Sequence, residues 1–191
     1  MTKLLTMISA AAFLTTFAGP AYADQHEKTV FVTSASFNGN LGGLTGADDK
    51  CQAEADGPAS IVPSGTYLAW LSDGTDSPDT RFTKSAHPYM LLDGSKIAED
   101  FTDLTDGSIL HSIDIDTTGE PVGLKRFWSG TDADGTKFAS ESSVTCDDWT
   151  ADPLANFFGM KGRTDLTSHL WSSHGRPRGC AQTFRLVCFQ Q

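Results

Sequence analysis

The amino-acid sequence predicts an α+β domain with a mixed, mainly antiparallel sheet, two short helices and long loops. Its strand-like segments are short and rich in β-branched or aromatic residues. Only two segments show the capping signals or the apolar spacing of a helix. The 18 glycines among 191 residues supply many turn positions. These features favour an α+β domain over a layered α/β enzyme fold, in which helices alternate regularly with strands.

The N-terminus predicts a cleavable secretory signal peptide. Lys3 gives a short positive start, and residues 4–17 form a mostly apolar stretch that is too short to span a bilayer. Pro20 and the small-x-small pattern of residues 21–23 (AYA) complete the cleavage signal. We therefore expect an exported protein, either periplasmic or extracellular. The expected parts are a signal peptide (1–23), a short tail (24–29) and one domain (30–191).

The first strand and the first helix are predicted near the start of this domain. Residues 29–33 (TVFVT) are β-branched or aromatic, which is typical of a strand. A turn-rich segment follows, and then a short helix that Thr45 or Asp48 could cap and that ends near Asp56, before a Gly-Pro pair. This helix places Cys51 on its inner face.

Three further elements are predicted along the rest of the chain. Residues 66–71 (TYLAWL) form a second strand, which a long loop follows. Ile97, Phe101 and Leu104 recur at i, i+4 and i+7, which indicates a second short amphipathic helix. Residues 184–189 (FRLVCF) form the terminal strand.

Four cysteines follow the signal peptide, at positions 51, 146, 180 and 188. An even number of cysteines in an oxidising compartment is usually paired, and four cysteines allow three pairings. A zinc site made by all four thiolates is disfavoured because no C-x-x-C spacing occurs. We therefore expect two structural disulfides.

Six short segments carry a family resemblance when they are taken in order. They are 46–52 (GADDKCQ), 65–72 (GTYLAWLS), 127–132 (FWSGTD), 146–149 (CDDW), 179–180 (GC) and 186–188 (LVC). Together they resemble the endostatin-like group of the C-type-lectin-like fold, both its bacterial secreted members and the collagen-derived endostatin domain. The resemblance covers nearly the whole domain. It implies a nested pairing, Cys51–Cys188 and Cys146–Cys180.

The chain is acidic, with a formal net charge of −10. Nucleic-acid binding depends on basic residues that neutralise phosphates, so this balance disfavours nucleic acid as a partner. It disfavours an anionic membrane surface for the same reason. No apolar run after the signal peptide is long enough for a transmembrane segment.

The charge balance reverses near the C-terminus, where residues 161–185 contain five basic side chains and one acidic side chain. Arginine forks bind sulfate, phosphate or carboxylate, and an exposed tryptophan offers a stacking face. Endostatin binds heparin through arginines, so the resemblance points to an anionic glycan. The candidate contact residues are Lys161, Arg163, Trp171, His174, Arg176 and Arg178, of which Trp171 is expected to be exposed among polar neighbours. Internal salt bridges to neighbouring carboxylates are the competing interpretation.

Acidic loops raise a calcium hypothesis, because Ca²⁺ takes several oxygen ligands from a flexible loop. The candidate ligands are Asp73, Asp76, Asp79, Asp132 and Asp134, and a further acidic loop holds Asp114, Asp116 and Glu120. No EF-hand register fits, and the Glu-Pro-Asn and Gln-Pro-Asp motifs of C-type lectins are missing. Aspartate is also an ordinary turn residue, which is the competing interpretation.

The predicted cleavage raises a copper hypothesis, because it creates the N-terminus Asp24-Gln25-His26. A free amine, two backbone nitrogens and an imidazole at the third position can form a square-planar Cu(II) or Ni(II) site. Apart from calcium and the N-terminal copper site, the sequence indicates no cofactor.

The sequence contains no Gly-x-Ser-x-Gly elbow, His-Glu-x-x-His helix or phosphate-binding loop. We therefore predict a secreted, non-enzymatic binding or adhesion module that recognises an extracellular glycan or protein ligand through its loops. A calcium-dependent carbohydrate-binding protein and an envelope hydrolase are the alternatives.

Overall fold

The structure, a computed structural model, describes residues 27–139, 143–152 and 156–191. Outside them lie the predicted signal peptide (1–23) and the copper candidates Asp24, Gln25 and His26. Among the described helices, none combines the length and the apolar character needed to cross a bilayer.

Nine short strands in the described residues form one five-stranded sheet and two ribbons of two strands. The sheet contains, in spatial order, β2 (Tyr67–Ala69), β9 (Val187–Gln190), β1 (Lys28–Val32), β3 (Tyr89–Leu91) and β4 (Lys96–Ala98). The ribbons are β5 (Arg126–Trp128) with β7 (Lys161–Arg163), and β6 (Phe158–Gly159) with β8 (Arg178–Gly179). The β1–β3 pair is parallel and the other pairs are antiparallel. The predicted α+β class with a mixed, mainly antiparallel sheet is confirmed.

The three predicted strands coincide with β1, β2 and β9, although β9 begins three residues later than the sequence predicts. The difference has a local cause. Phe184 exchanges backbone hydrogen bonds with Phe37, and Arg185 forms a bridge to Phe127. The chain therefore joins the main sheet only after these residues have paired elsewhere.

Helix α1 (Gly43–Ala55) begins two residues before the predicted cap at Thr45, and no side chain caps it. Gly42 occupies the N-cap position with a φ of 85°, which glycine adopts readily. The carboxylate of Asp48, the other predicted cap, accepts the backbone N–H of Ala69 at 2.9 Å instead. The predicted capping residues are therefore wrong, and Asp48 satisfies the free edge of β2.

Two further helices are one turn each, α2 (Pro78–Arg81) and α3 (Phe101–Leu104). The sequence places Ile97 in the second helix, but Ile97 lies in β4. Asp100 separates the two elements, because its side chain caps α3 by accepting the N–H of Asp103 at 2.9 Å. Helix α2 lies in the long loop after the second predicted strand, so the prediction of two helices misses one of the described helices.

The main sheet has a hydrophobic cluster on each face. Val30 and Val187 belong to one cluster, and Phe31 and Cys188 belong to the other. Two disulfides are present, Cys51–Cys188 and Cys146–Cys180, in the nested arrangement that the family resemblance implies. The first joins α1 to β9, and the second joins a left-handed turn (Cys146–Trp149) to the residue after β8.

Candidate functional site

The ribbon of β5 and β7 carries three basic residues on one face. In its antiparallel register Arg126 lies opposite Arg163, and Trp128 lies opposite Lys161. Residues that are directly opposite share a face of the ribbon, as do residues two apart along a strand. Arg178 is contributed by β8, which pairs with the strand that immediately precedes β7.

Lys161 is the buried centre of this group. It is 1% exposed, and its Nζ donates to the backbone carbonyl of His174. Burial, followed by the positive charges of three arginines, lowers the pKa of the Lys161 amine to about 8. Those arginines are Arg178, Arg126 and Arg163. Within the described residues, no Asp or Glu forms an ion pair with Lys161, which is unusual because buried lysines are normally paired.

Arg163 differs from the other basic residues because it has an acidic partner. Its Nε donates to Oδ1 of Asp165 at 2.8 Å, and its Nη2 donates to Oδ2. This hydrogen-bonded contact raises the pKa of Arg163 and lowers the pKa of Asp165. The competing interpretation of internal salt bridging therefore applies to Arg163. None of the described ion pairs involves Arg126, Lys161 or Arg178. We call these three residues the cationic cluster.

His174 contacts Lys161 through its backbone. Its backbone carbonyl accepts the hydrogen bond from Lys161 Nζ. Burial lowers the pKa of the His174 imidazole, and the charges of Lys161 and Arg163 lower it further. The neighbouring Arg176 is exposed and is not among the arginines that lower the pKa of Lys161. It therefore lies on the same segment without belonging to the cationic cluster.

The expectation that Trp171 is exposed is wrong. Trp171 is 1% exposed, and its ring centroid lies 4.9 Å from that of Trp70. Its polar neighbour Ser172 is also buried, and the Ser172 hydroxyl donates to the carbonyl of Thr131 at 2.7 Å. The polar neighbours of Trp171 are therefore partly satisfied inside the protein and do not indicate a surface. The exposed aromatic side chains of this region are Phe157 and Phe158.

Arg126 links the cationic cluster to a second basic feature that sequence reasoning missed. A cavity of about 230 Å³ is lined by Lys125, Arg126 and Arg185, together with the hydroxyl-bearing Ser36 and Thr183. None of its lining residues in the described part of the chain is acidic. The adjacent Lys125-Arg126 pair in an acidic chain is the sequence signal that could have identified it.

No protein-family model matches this chain, and no curated protein matches it in sequence. Residue roles therefore have to be inferred from charge, burial and distance. By those criteria the unpaired, buried Lys161 is the clearest indication of a ligand site.

The calcium candidates are dispersed over separate turns. Asp73 Oδ1 accepts the N–H of Asp76 at 2.7 Å, which is an ordinary turn contact. Asp79 pairs with Lys84, Asp132 accepts from Ser173, and Asp134 accepts from Thr136. In the described part of the chain, no three Asp, Glu, His or Cys side chains gather in a way that could hold a metal ion.

Proposed function

We propose that this chain is a secreted, non-enzymatic binding module that recognises an anionic group on an extracellular glycan. The ligand binds at the cationic cluster and at the basic cavity that shares Arg126 with it. The observation that carries the proposal is Lys161, a buried cation that has a carbonyl partner but, among the described residues, no acidic one.

The energetic argument starts from the cost of burying a charge. A buried ammonium is unfavourable unless an anion compensates it, and two unpaired arginines nearby add like-charge repulsion. The same burial and the same arginine charges lower the pKa of Lys161, which is the direction expected when the protonated form is disfavoured. A bound sulfate, phosphate or carboxylate group would remove the cost, so the cluster should favour such a ligand.

The contrast with the rest of the chain supports a local site. The chain contains 24 acidic residues, yet among the described ion pairs Asp165 is the acidic residue that pairs with this ribbon, and its partner is Arg163. Arginine forks bind sulfate and carboxylate oxygens in pairs, which suits Arg126 and Arg178. The overall negative charge would repel a long polyanion, so a short, locally dense anionic segment fits best.

Export and fold are parts of the same proposal. Two disulfides are typical of proteins in oxidising compartments. The motif order, the nested disulfides and the α+β sheet all support the endostatin-like, C-type-lectin-like fold that the resemblance implies. On this scaffold the proposed glycan site lies on the strands β5, β7 and β8.

The proposal is tested by titrating the mature chain with a short sulfated oligosaccharide from heparin and with its desulfated counterpart. Isothermal titration calorimetry at low salt measures both affinities. Arg126→Ala and Arg178→Ala should each weaken the sulfated ligand by about tenfold, since each removes a charged hydrogen-bond donor. Arg176→Ala is the matched control, because Arg176 is exposed on the same segment but lies outside the cluster. Equal losses in all three variants, or equal binding of the desulfated ligand, would contradict the proposal.

A further inference from the structure

A second cavity, separate from the cationic cluster, lies beside the left-handed turn. Its volume is about 280 Å³. Gly74 and two further parts of the chain line it, and these two parts supply polar side chains together with two apolar residues, Phe138 and Val144. The polar side chains are Lys137, Ser143, Thr145 and Asp148.

The wall of this cavity is built on a strained backbone. The four residues Cys146–Trp149 all have positive φ, between 51° and 63°, although none is glycine. Each such residue costs about 1–2 kcal/mol, so the surrounding structure must hold the turn in place. Two hydrogen bonds of Trp149 help to hold the turn. The Trp149 indole donates to the carbonyl of Ser72 at 2.8 Å, and the Trp149 carbonyl accepts the N–H of Leu41 at 2.8 Å.

The turn places the carboxylate of Asp148 against the opposite wall. Asp148 Oδ1 accepts the N–H of Gly74 at 2.8 Å and the hydroxyl of Thr145 at 3.1 Å. A Cβ added at Gly74 would lie 3.2 Å from both carboxylate oxygens, which is a tight contact, so Asp148 packs closely against this glycine. Among the described contacts Oδ2 accepts no hydrogen bond, and it remains an acceptor for a ligand.

The remaining polar groups complement this acceptor. Among the described contacts Lys137 Nζ donates one hydrogen bond, to the carbonyl of Gly74 at 3.2 Å, so two of its three protons have no partner among them and can serve a ligand. Ser143 Oγ lies 3.0 Å from Thr145 Oγ1. Because Thr145 donates to Asp148, Ser143 must donate to Thr145, and the Ser143 oxygen is left as a second acceptor.

This set of donors and acceptors favours one class of ligand. Each sugar hydroxyl both donates and accepts, so a pair of hydroxyls can use the Lys137 amine and the Asp148 carboxylate together. Within the described residues the two side chains form no ion pair with each other or with another residue. A ligand with a net charge of either sign would meet one like charge, whereas a neutral ligand would meet none.

We propose that this cavity binds a single neutral sugar residue without a metal ion. Its volume lies near the lower limit of ligand pockets, which suits one ring. Phe138 and Val144 supply the apolar surface on which the carbon skeleton of the ring packs. The site is distinct from the anionic-ligand site of the proposed function, and either can exist without the other.

The test is an NMR titration of the ¹⁵N-labelled mature chain with methyl glucoside, methyl mannoside and methyl galactoside, in the presence of a metal chelator. The Gly74 amide is the reporter, because it donates to Asp148. At least one glycoside should shift this resonance saturably. Asp148→Asn and Lys137→Met should each weaken that binding by about tenfold or more, since each removes a charged hydrogen-bond partner.

Asp147→Asn is the matched control, because Asp147 is the adjacent exposed carboxylate on the same turn and does not line the cavity. It should bind like the wild type, and so should Arg126→Ala. Melting temperatures identify variants that have lost the fold, and Lys137→Met keeps the test valid if Asp148→Asn does not fold. The inference is overturned if no glycoside gives a saturable shift, if Asp147→Asn weakens binding as much as Asp148→Asn, or if Arg126→Ala abolishes it.

Discussion

Arg81 and Lys161 are two largely buried cations in opposite situations. The Arg81 side chain is 14% exposed and forms an ion pair with Asp48, whose side chain is 17% exposed. Asp48 also accepts the backbone N–H of Ala69, so this pair closes the edge of β2. Lys161 is more deeply buried, and the one hydrogen bond described for its amine is to a backbone carbonyl.

The difference separates a framework contact from a ligand site. A buried ion pair whose charges and hydrogen bonds are satisfied is costly to break, because breaking it leaves one charge uncompensated. A buried cation without an anion is in that uncompensated state from the start. We infer that Arg81 stabilises the fold, and that Lys161 is retained at some cost in stability because a ligand anion completes it.

The largest expected change in stability comes from breaking the ion pair between Arg81 and Asp48. Asp48→Ala leaves Arg81 without an acid and the Ala69 N–H without its acceptor, so the free energy of unfolding should fall by about 3 kcal/mol. Urea denaturation measures the change. Asp49→Ala is the control, because Asp49 is exposed and adjacent. If both variants lose the same stability, Asp48 does not hold the framework.

Removing the charge of Lys161 should increase the stability of the protein, whereas Asp48→Ala should decrease it. Lys161→Met keeps most of the side-chain volume and removes the unpaired charge, so it should raise the free energy of unfolding at pH 7 by about 1–2 kcal/mol. The same variant should bind the sulfated oligosaccharide more weakly. Lys125→Met, at an exposed lysine, should leave stability almost unchanged. A loss of stability in Lys161→Met would show that the charge is compensated in the folded protein.

The difference in the free energy of unfolding between the wild type and Lys161→Met should also depend on pH. The pKa of Lys161 is about 8 in the folded protein and 10.5 in the absence of perturbation. Between these values the unfolded chain binds more protons, so the free energy of unfolding should rise with pH across that window. Urea denaturation of the wild type and of Lys161→Met from pH 7 to pH 10 measures the difference. If the difference in the free energy of unfolding between the two proteins stays constant with pH, the pKa of Lys161 is not lowered in the folded protein.

The smallest effect is expected at Arg163, the intermediate case. Asp165→Asn frees the Arg163 guanidinium from its partner and adds a fourth positive charge without an acidic partner to the three of the cationic cluster. Affinity for the sulfated ligand should rise by about threefold, because the removed carboxylate also repels the anion. Calorimetric titration at two salt concentrations measures this, and a weaker affinity would place the ligand away from β7.

The sequence predicted three of the nine described strands from local composition, and the motif order implied the disulfide pairing that is present. It failed where a distant partner decides the outcome. Asp48 resembles a helix cap, but Ala69 and Arg81 recruit its carboxylate from other parts of the chain. Trp171 has polar neighbours, yet the fold buries it against Trp70.

The candidate site was only half predictable for the same reason. Lys161 and Arg178 lie in the basic C-terminal segment, which the charge count identifies. Arg126 lies far away in the sequence, and only the pairing of β5 with β7 brings it opposite Arg163. The left-handed turn is equally hidden, because four positive φ values at non-glycine residues contradict local preference.

The most direct test of the central claim is the pKa of the Lys161 amine with and without ligand. Lysine side chains labelled with ¹³C next to the amine report this pKa in an NMR titration, and Lys161→Met assigns the resonance. We predict that the Lys161 amine has a pKa of about 8 in the free protein and that this pKa rises clearly when the sulfated oligosaccharide is bound. A ligand that binds without changing this pKa would contradict the account, and so would an ordinary lysine pKa in the free protein.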